Sequence, residues 1–376
     1  MINVYFATKA RGFLRHFFNI NIENSYEINK KKNIILSKLA KNKFISKFGY
    51  FKIIKIENKD CDIYGSYNRF LKANKNYFIY LENPTALYHY SLFCGKSILG
   101  KKRIKKCLLD PKLKAIICMS NACKNTFIEL CGDYNGYLTQ IYPYVPDNKM
   151  VNEINIKNRC NENNLKILFI AQGERFVSKG GLEVIEAYKR LKEKNENKKT
   201  SLTIVTSIHD ISNKLTNQIL EDKDISFINF DLSFSEMEKL YANHHILVQP
   251  SSDDSFGLTI IEAMKAGLAI ISSKLYAFPE MVEDGINGYL IEPKYWLFDK
   301  NNMPNPLVWN NRKKTIYNEN LSEQLIISIY EKMRLLQNNN LILQNMSISS
   351  YKKATQGKLC FEYIQNQWQQ VYEVVK

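Results

Sequence analysis

The most regular pattern in the chain is an alternation of short apolar runs with amphipathic stretches, and it fills the second half. Residues 165–171 (LKILFIA) form an apolar run that stops just short of Gly173. Residues 182–192 follow with Leu182, Ile185, Tyr188 and Leu191 on one side at helical spacing. The alternation continues with 202–205 as strand, 215–220 as helix, 225–230 as strand and 235–242 as helix, capped by Ser233. Residues 246–248 read as a buried strand ending at Pro250, 260–266 as a helix stopping at Gly267, and 268–271 as the next strand. Such an order implies βαβ units and a parallel sheet covered on both faces. Ligands of such sheets bind beyond the carboxyl ends of the strands, so the residues after each strand matter most.

The first half is less regular. Residues 2–7, 51–56, 78–81, 115–119 and 137–142 are strand candidates, and 120–130 reads as a helix capped by Ser120 or Asn121. The polar run 152–164 has no apolar periodicity and is expected to be the interdomain linker. Residues 321–336 and 359–374 read as helices, the latter with Phe361, Tyr363, Trp368 and Tyr372 as core aromatics. A length of 376 residues fits two domains. The expected division is 1–156, 157–350, and a C-terminal helix at 351–376 that packs back on the first domain.

Composition narrows the class. Hydrophobic residues make up 45% of the chain, enough for a core in each half. No run approaches the ~20 apolar residues of a membrane span. The N-terminus places its apolar residues before its charges, the reverse of a signal peptide, so a cytoplasmic protein is expected. None of the eight cysteines forms a C-x-x-C pair, which predicts reduced thiols and no metal site. The net charge of +16 suits nucleic acid, an anionic membrane surface or a phosphate-bearing substrate, or simply a solvated lysine-rich face. No nucleic-acid motif is recognisable, so that partner is not expected.

Three segments carry chemistry. The first runs from Pro250 through Asp253, Asp254, Phe256 and Gly257 to Glu262 and Gly267. A strand ends, a carboxylate-bearing loop follows, and a glycine opens a helix. Backbone N–H groups near Leu258 and Thr259 would form an anion site. Glu262 could accept two sugar hydroxyls at once. The second segment, residues 172–181, also joins a strand to a helix. Its Gly173, Arg175, Lys179 and Gly180 suit a diphosphate, and the cations could stabilise charge on a leaving group. The third, residues 278–289, supplies the turn formers Asp284-Gly285 and Asn287-Gly288.

Together these segments resemble the retaining glycosyltransferases of family 4, a GT-B group with two Rossmann-like domains facing across a cleft. The residues that carry the likeness are Ser178-Lys179-Gly180-Gly181, the stretch from Pro250 to Gly267 with Asp254 and Glu262 eight residues apart, and the stretch from Pro279 to Leu290. It covers roughly residues 165–293. The resemblance implies that Glu262 binds the ribose hydroxyls, Asp254 contacts the donor sugar, and Lys179, with Arg175, meets the diphosphate. It places Phe256, Gly257 and Leu258 beside the sugar and phosphates, and Asn229 to Leu232, including Asp231, at the base. The family usually has glutamate where Asp254 stands, one methylene longer.

The implied activity is transfer of a sugar, with retention, from a UDP- or GDP-sugar to a hydroxyl of a glycan or lipid-linked acceptor in cell-surface polysaccharide biosynthesis. No cofactor and no metal are expected, because cations and helix amides can take the metal's charge role. His89 is a candidate for touching the acceptor. Residues 8–18 alternate basic and aromatic side chains. They could grip the inner face of an anionic membrane or a lipid-phosphate acceptor, or be an ordinary half-buried segment. Two other readings are a nucleotide-sugar epimerase of the same fold and a non-catalytic nucleotide-sugar binder.

Overall fold

The computed structural model describes residues 2–8, 12–20, 48–193, 199–207 and 223–376. The helix expected at 215–220 lies outside them. The chain divides into two compact units, residues 1–144 with 360–376, and residues 145–359.

The strands of the first unit are β1 (Asn3–Phe6), β2 (Asn19–Ile20), β3 (Ile54–Lys55), β4 (Ile63–Tyr67), β5 (Leu71–Lys72), β6 (Tyr77–Leu81), β7 (Leu113–Cys118) and β8 (Tyr137–Gln140). Six of them form a sheet in the order β2-β1-β4-β6-β7-β8, and β3 pairs with β5 apart from it. Every pairing in the sheet is parallel. β6 reads YFIYL and is buried along its whole length, as a strand covered on both faces must be. Helices α1 (Ile98–Leu108) and α2 (Asn121–Cys131) belong here, α2 with Ser120 as its cap.

The sequence expectation of a strand at 51–56 shrinks to the two residues of β3, and the central strand β4 (IYGSY) was not foreseen. β4 has no polar–apolar alternation to betray it. Gly65 and Ser66 sit inside the sheet because the Phe6 ring leaves no room for a Cβ at 65, and because Ser66 Oγ donates to Arg69 O at 2.7 Å. The helix Phe361–Val375 completes this unit. Trp368 is fully buried with its ring 5.0 Å from Phe18, 5.9 Å from Phe78 and 5.6 Å from Tyr80.

The second unit has α3 (Glu153–Cys160), β9 (Asn164–Ile170), α4 (Gly181–Glu193), β10 (Lys199–Val205), β11 (Ile225–Ile228), α5 (Phe234–Ala242), β12 (Ile246–Gln249), α6 (Leu258–Lys265), β13 (Ala269–Ser273), β14 (Gly288–Ile291), α7 (Glu323–Asn338) and α8 (Asn340–Gln356). Its sheet has the order β11-β10-β9-β12-β13-β14, all parallel. Counted within the unit, that is the doubly wound order 3-2-1-4-5-6, which reverses direction between β9 and β12.

The run 152–164 is not a linker. It contains α3, and the division between units falls at Tyr144/Val145 rather than at 156/157. Capping, not apolar periodicity, holds α3. Asn152 and Asn155 bond each other's backbone N–H through their side chains, at 2.9 and 3.2 Å. Buried Arg159 then donates to Ala242 O (2.7 Å), Ala266 O (3.0 Å) and Gly267 O (2.6 Å), satisfying the ends of α5 and α6.

Candidate functional site

The reversal between β9 and β12 sets two loops side by side, 171–180 and 250–257. Residues 172–179 coil tightly after β9, with Gly173–Arg175 in a 3-10 turn and Lys179 N donating to Arg175 O at 2.9 Å. Gly180 follows in the left-handed region (φ +81°), where a Cβ would meet Pro250 Cγ at 2.7 Å and Pro250 O at 2.9 Å. Ser252 N donates to Ser178 O at 2.9 Å, so the two loops share a backbone hydrogen bond.

Charge crosses the same seam twice. Lys179 pairs with Asp254, both nearly buried. Arg175 pairs with Asp253 at 3.2 Å and also donates to its carbonyl. Burial pushes the Lys179 ammonium down from the usual lysine range, and Asp254 opposes that shift. For Arg175, burial also works downward, but Asp254 and Asp253 outweigh it and hold the guanidinium firmly charged.

Asp253, noted in the sequence as a loop carboxylate but given no role there, is the hub. Its carboxylate also receives Tyr317 Oη at 3.3 Å and faces Arg312 at 3.5 Å. Both lie past β14, where no short motif marks them.

Beyond the loop, Gly257 (φ +88°) turns the chain into α6, and no side chain caps that helix start. Phe278 packs 2.6 Å from where a Gly257 Cβ would be, so the 278–290 segment buttresses the turn. Leu258 and Thr259 are the first residues of α6, and Phe256 is buried. Glu262, half-buried, lies on α6 and accepts from Tyr241 Oη at 2.7 Å. Burial raises the pKa of Glu262 from its ordinary value, with the Tyr241 bond acting the other way. Glu262 opens onto a cavity of about 110 Å³ walled by Val145, Pro146, Phe234, Met237 and Tyr241. Lys179, Arg175 and Asp254 therefore cluster, while Glu262 lines a cavity whose walls include none of them.

Residues 151–296 match the family described as glycosyl transferases group 1. A Klebsiella pneumoniae 41.2 kDa protein from the cps region is 27% identical over 138 residues, 35% of this chain and 36% of that protein. The O-antigen chain mannosyltransferase RfbU of Salmonella typhimurium is 35% identical over 88 residues, 23% of this chain and 25% of that enzyme. The chain thus spans little more than a third of the length of the first curated relative it matches. Among solved structures, Anabaena Alr3699/HepE in complex with UDP and glucose has a TM-score of 0.60 at 14% identity, over 99% of this chain and 100% of that one. The family match lies within the second unit. The fold is that of the GT-B glycosyltransferases, as the sequence resemblance implied.

The other residues expected at the site from the sequence sit as follows. Asn229 and Asp231 are exposed just after β11, bonded to each other at 2.9 Å. His89 lies in the first unit, half-buried and left-handed (φ 58°), at the end of the 3-10 turn Pro84–Tyr88. Beside it Glu82 accepts from Tyr67 Oη at 2.6 Å and Tyr90 Oη at 2.5 Å. In the segment 8–18, Leu14, Phe17 and Phe18 are buried in the core, while Arg15 and His16 are exposed. Residues 9–11 lie outside the described set. Among the described residues no helix is long and apolar enough to cross a membrane.

Proposed function

We propose that the chain transfers a sugar, with retention, from a nucleotide diphosphate sugar to a hydroxyl of a glycan or lipid-linked acceptor during cell-surface polysaccharide synthesis. One observation carries this reading: Lys179 and Arg175 are held by Asp254 and Asp253 across the switch point of a 3-2-1-4-5-6 sheet. The cations would take the charge that develops on the departing diphosphate, a role a metal fills elsewhere, so transfer is metal-independent. The uncapped start of α6 at Leu258 and Thr259 adds backbone donors. Glu262 would hold the ribose hydroxyls, its cavity with Phe234 and Met237 would take apolar surface of the nucleoside, and Asn229 and Asp231 would edge the base. Asp254 would turn from Lys179 to the sugar when donor arrives. The UDP named for the Anabaena protein supports a uridine donor. His89 and its neighbours in the first unit would meet the acceptor.

A lipid-linked acceptor calls for a cytoplasmic protein at the inner face of an anionic membrane. Helix α1 supports that part. It has five cations and no acid in eleven residues, and Ile98 (74%) and Leu99 (55%) are exposed beside Lys101 and Lys102.

The reading is tested by thermal shift with a panel of UDP- and GDP-sugars, followed by transfer assays on any hit. A true donor at a hundredfold its Kd stabilises by about 2.7 kcal/mol. Glu262→Ala should abolish the shift. If no donor shifts the wild type, or Glu262→Ala responds equally, the donor site is misassigned. A donor that binds and is neither transferred nor epimerised would leave only a binding protein.

A further inference from the structure

Between β14 and α7 the chain makes a long excursion, residues 292–322, almost all of it past the family match at 151–296. It is tied down at both ends. Tyr276 stacks on Phe298 at 3.9 Å, Phe298 meets Trp309 edge-on at 5.3 Å, and the Arg312 guanidinium lies 4.7 Å over Trp309. Lys294 pairs at 2.9 Å with Glu183, fully buried in the first turn of α4, and donates to the carbonyls of Asn318 and Asn320. This strap is thus fastened to the helix that follows the cationic turn. Between its anchors it delivers Arg312 and Tyr317 to Asp253.

Charge decides what that delivery does. Lys179 and Arg175 face Asp253 and Asp254, two positive charges against two negative. Without the strap the cluster is neutral and has no net attraction for a diphosphate. Arg312 brings it to three against two. The Arg312 guanidinium is also held 4.7 Å over the Trp309 ring, and a planar guanidinium can give a phosphate two hydrogen bonds at once.

Building on the donor-site reading above, we propose that Arg312 is a further donor-binding residue, the cation that gives this site its net charge for a nucleoside diphosphate. Tyr317 acts as a positioning residue by holding Asp253. The strap is then part of the donor pocket, although most of it lies past the family match.

The test is calorimetric binding of UDP and GDP, with the matching nucleosides as controls, at low and moderate salt. Arg312→Met should weaken the preferred diphosphate about tenfold or more, flatten its salt dependence, and leave the nucleoside unchanged. Arg312→Lys should recover part of the loss. Tyr317→Phe should act more weakly in the same direction. Lys313→Met removes the same charge from an exposed neighbour and should change nothing. If Arg312→Met binds diphosphate like the wild type, or loses nucleoside equally, the strap's role is overturned while the donor site stands. If the wild type binds neither diphosphate, both ideas fall.

Discussion

Lys179 and Asp254, 75 residues apart in sequence, meet as an ion pair with both side chains nearly buried. Removing one partner of a buried pair leaves the other charge uncompensated. That typically costs about 3–5 kcal/mol, whereas removing both is far milder. Lys179→Met or Asp254→Asn alone should therefore lower the urea midpoint strongly, and the double variant should regain much of it. Activity should behave differently. The double variant would remain at least about 100-fold slow in turnover, because the cation that meets the leaving group is gone. A stable, active double variant would show the pair to be purely structural.

A second prediction concerns acid. His244 and His245 are buried, one bonded to Leu240 O and Thr203 Oγ1, the other accepting from Lys166 N and facing Arg159 O. Burial lowers both to about 4, from an ordinary value of 6.5. Above pH 6.5 neither state binds the protons and nothing is lost. As pH falls from 6.5 towards 4 only the unfolded chain takes them up, so stability drops by on the order of 3 kcal/mol per histidine. Urea unfolding across that window should show the decline, and a His244→Asn, His245→Asn variant should show a shallower slope. An unchanged slope would refute the assignment.

A third prediction follows from α1. Gly100, Ile104 and Leu108 face the core, while Ile98, Leu99, Lys102, Lys105, Lys106 and Leu109 lie on exposed faces. Co-sedimentation with vesicles containing anionic lipid should exceed that with zwitterionic vesicles and weaken with salt. Replacing Lys102, Lys105 and Lys106 by Glu should abolish it, and Ile98→Ser with Leu99→Ser should reduce it. Equal binding to zwitterionic vesicles, or none at all, removes the membrane from the proposal.

What the sequence made legible was local. The strand–glycine–helix turns around Gly180 and Gly257 announce themselves because their backbone conformation and close approaches admit little else. Ser233 and Glu236 likewise form the capping box that the pattern S-x-x-E suggests. What stayed hidden depends on partners distant in the chain. Asp253 looks like any loop acid until Arg175, Arg312 and Tyr317 are brought to it by the fold. Helix α3 reads as polar linker because Arg159 is buried on carbonyls supplied by two other helices. β4 escapes because its glycine and serine answer to Phe6 and Arg69 rather than to strand propensity.

The fully buried Trp368 has a consequence for synthesis. On a ribosome the first 144 residues emerge early, yet the indole that fills their aromatic core arrives only after all of residues 145–359. The first unit must wait, partly open, while the second can close unaided. A protease cut near residue 360 should accordingly unravel the opening third of the molecule and spare the middle.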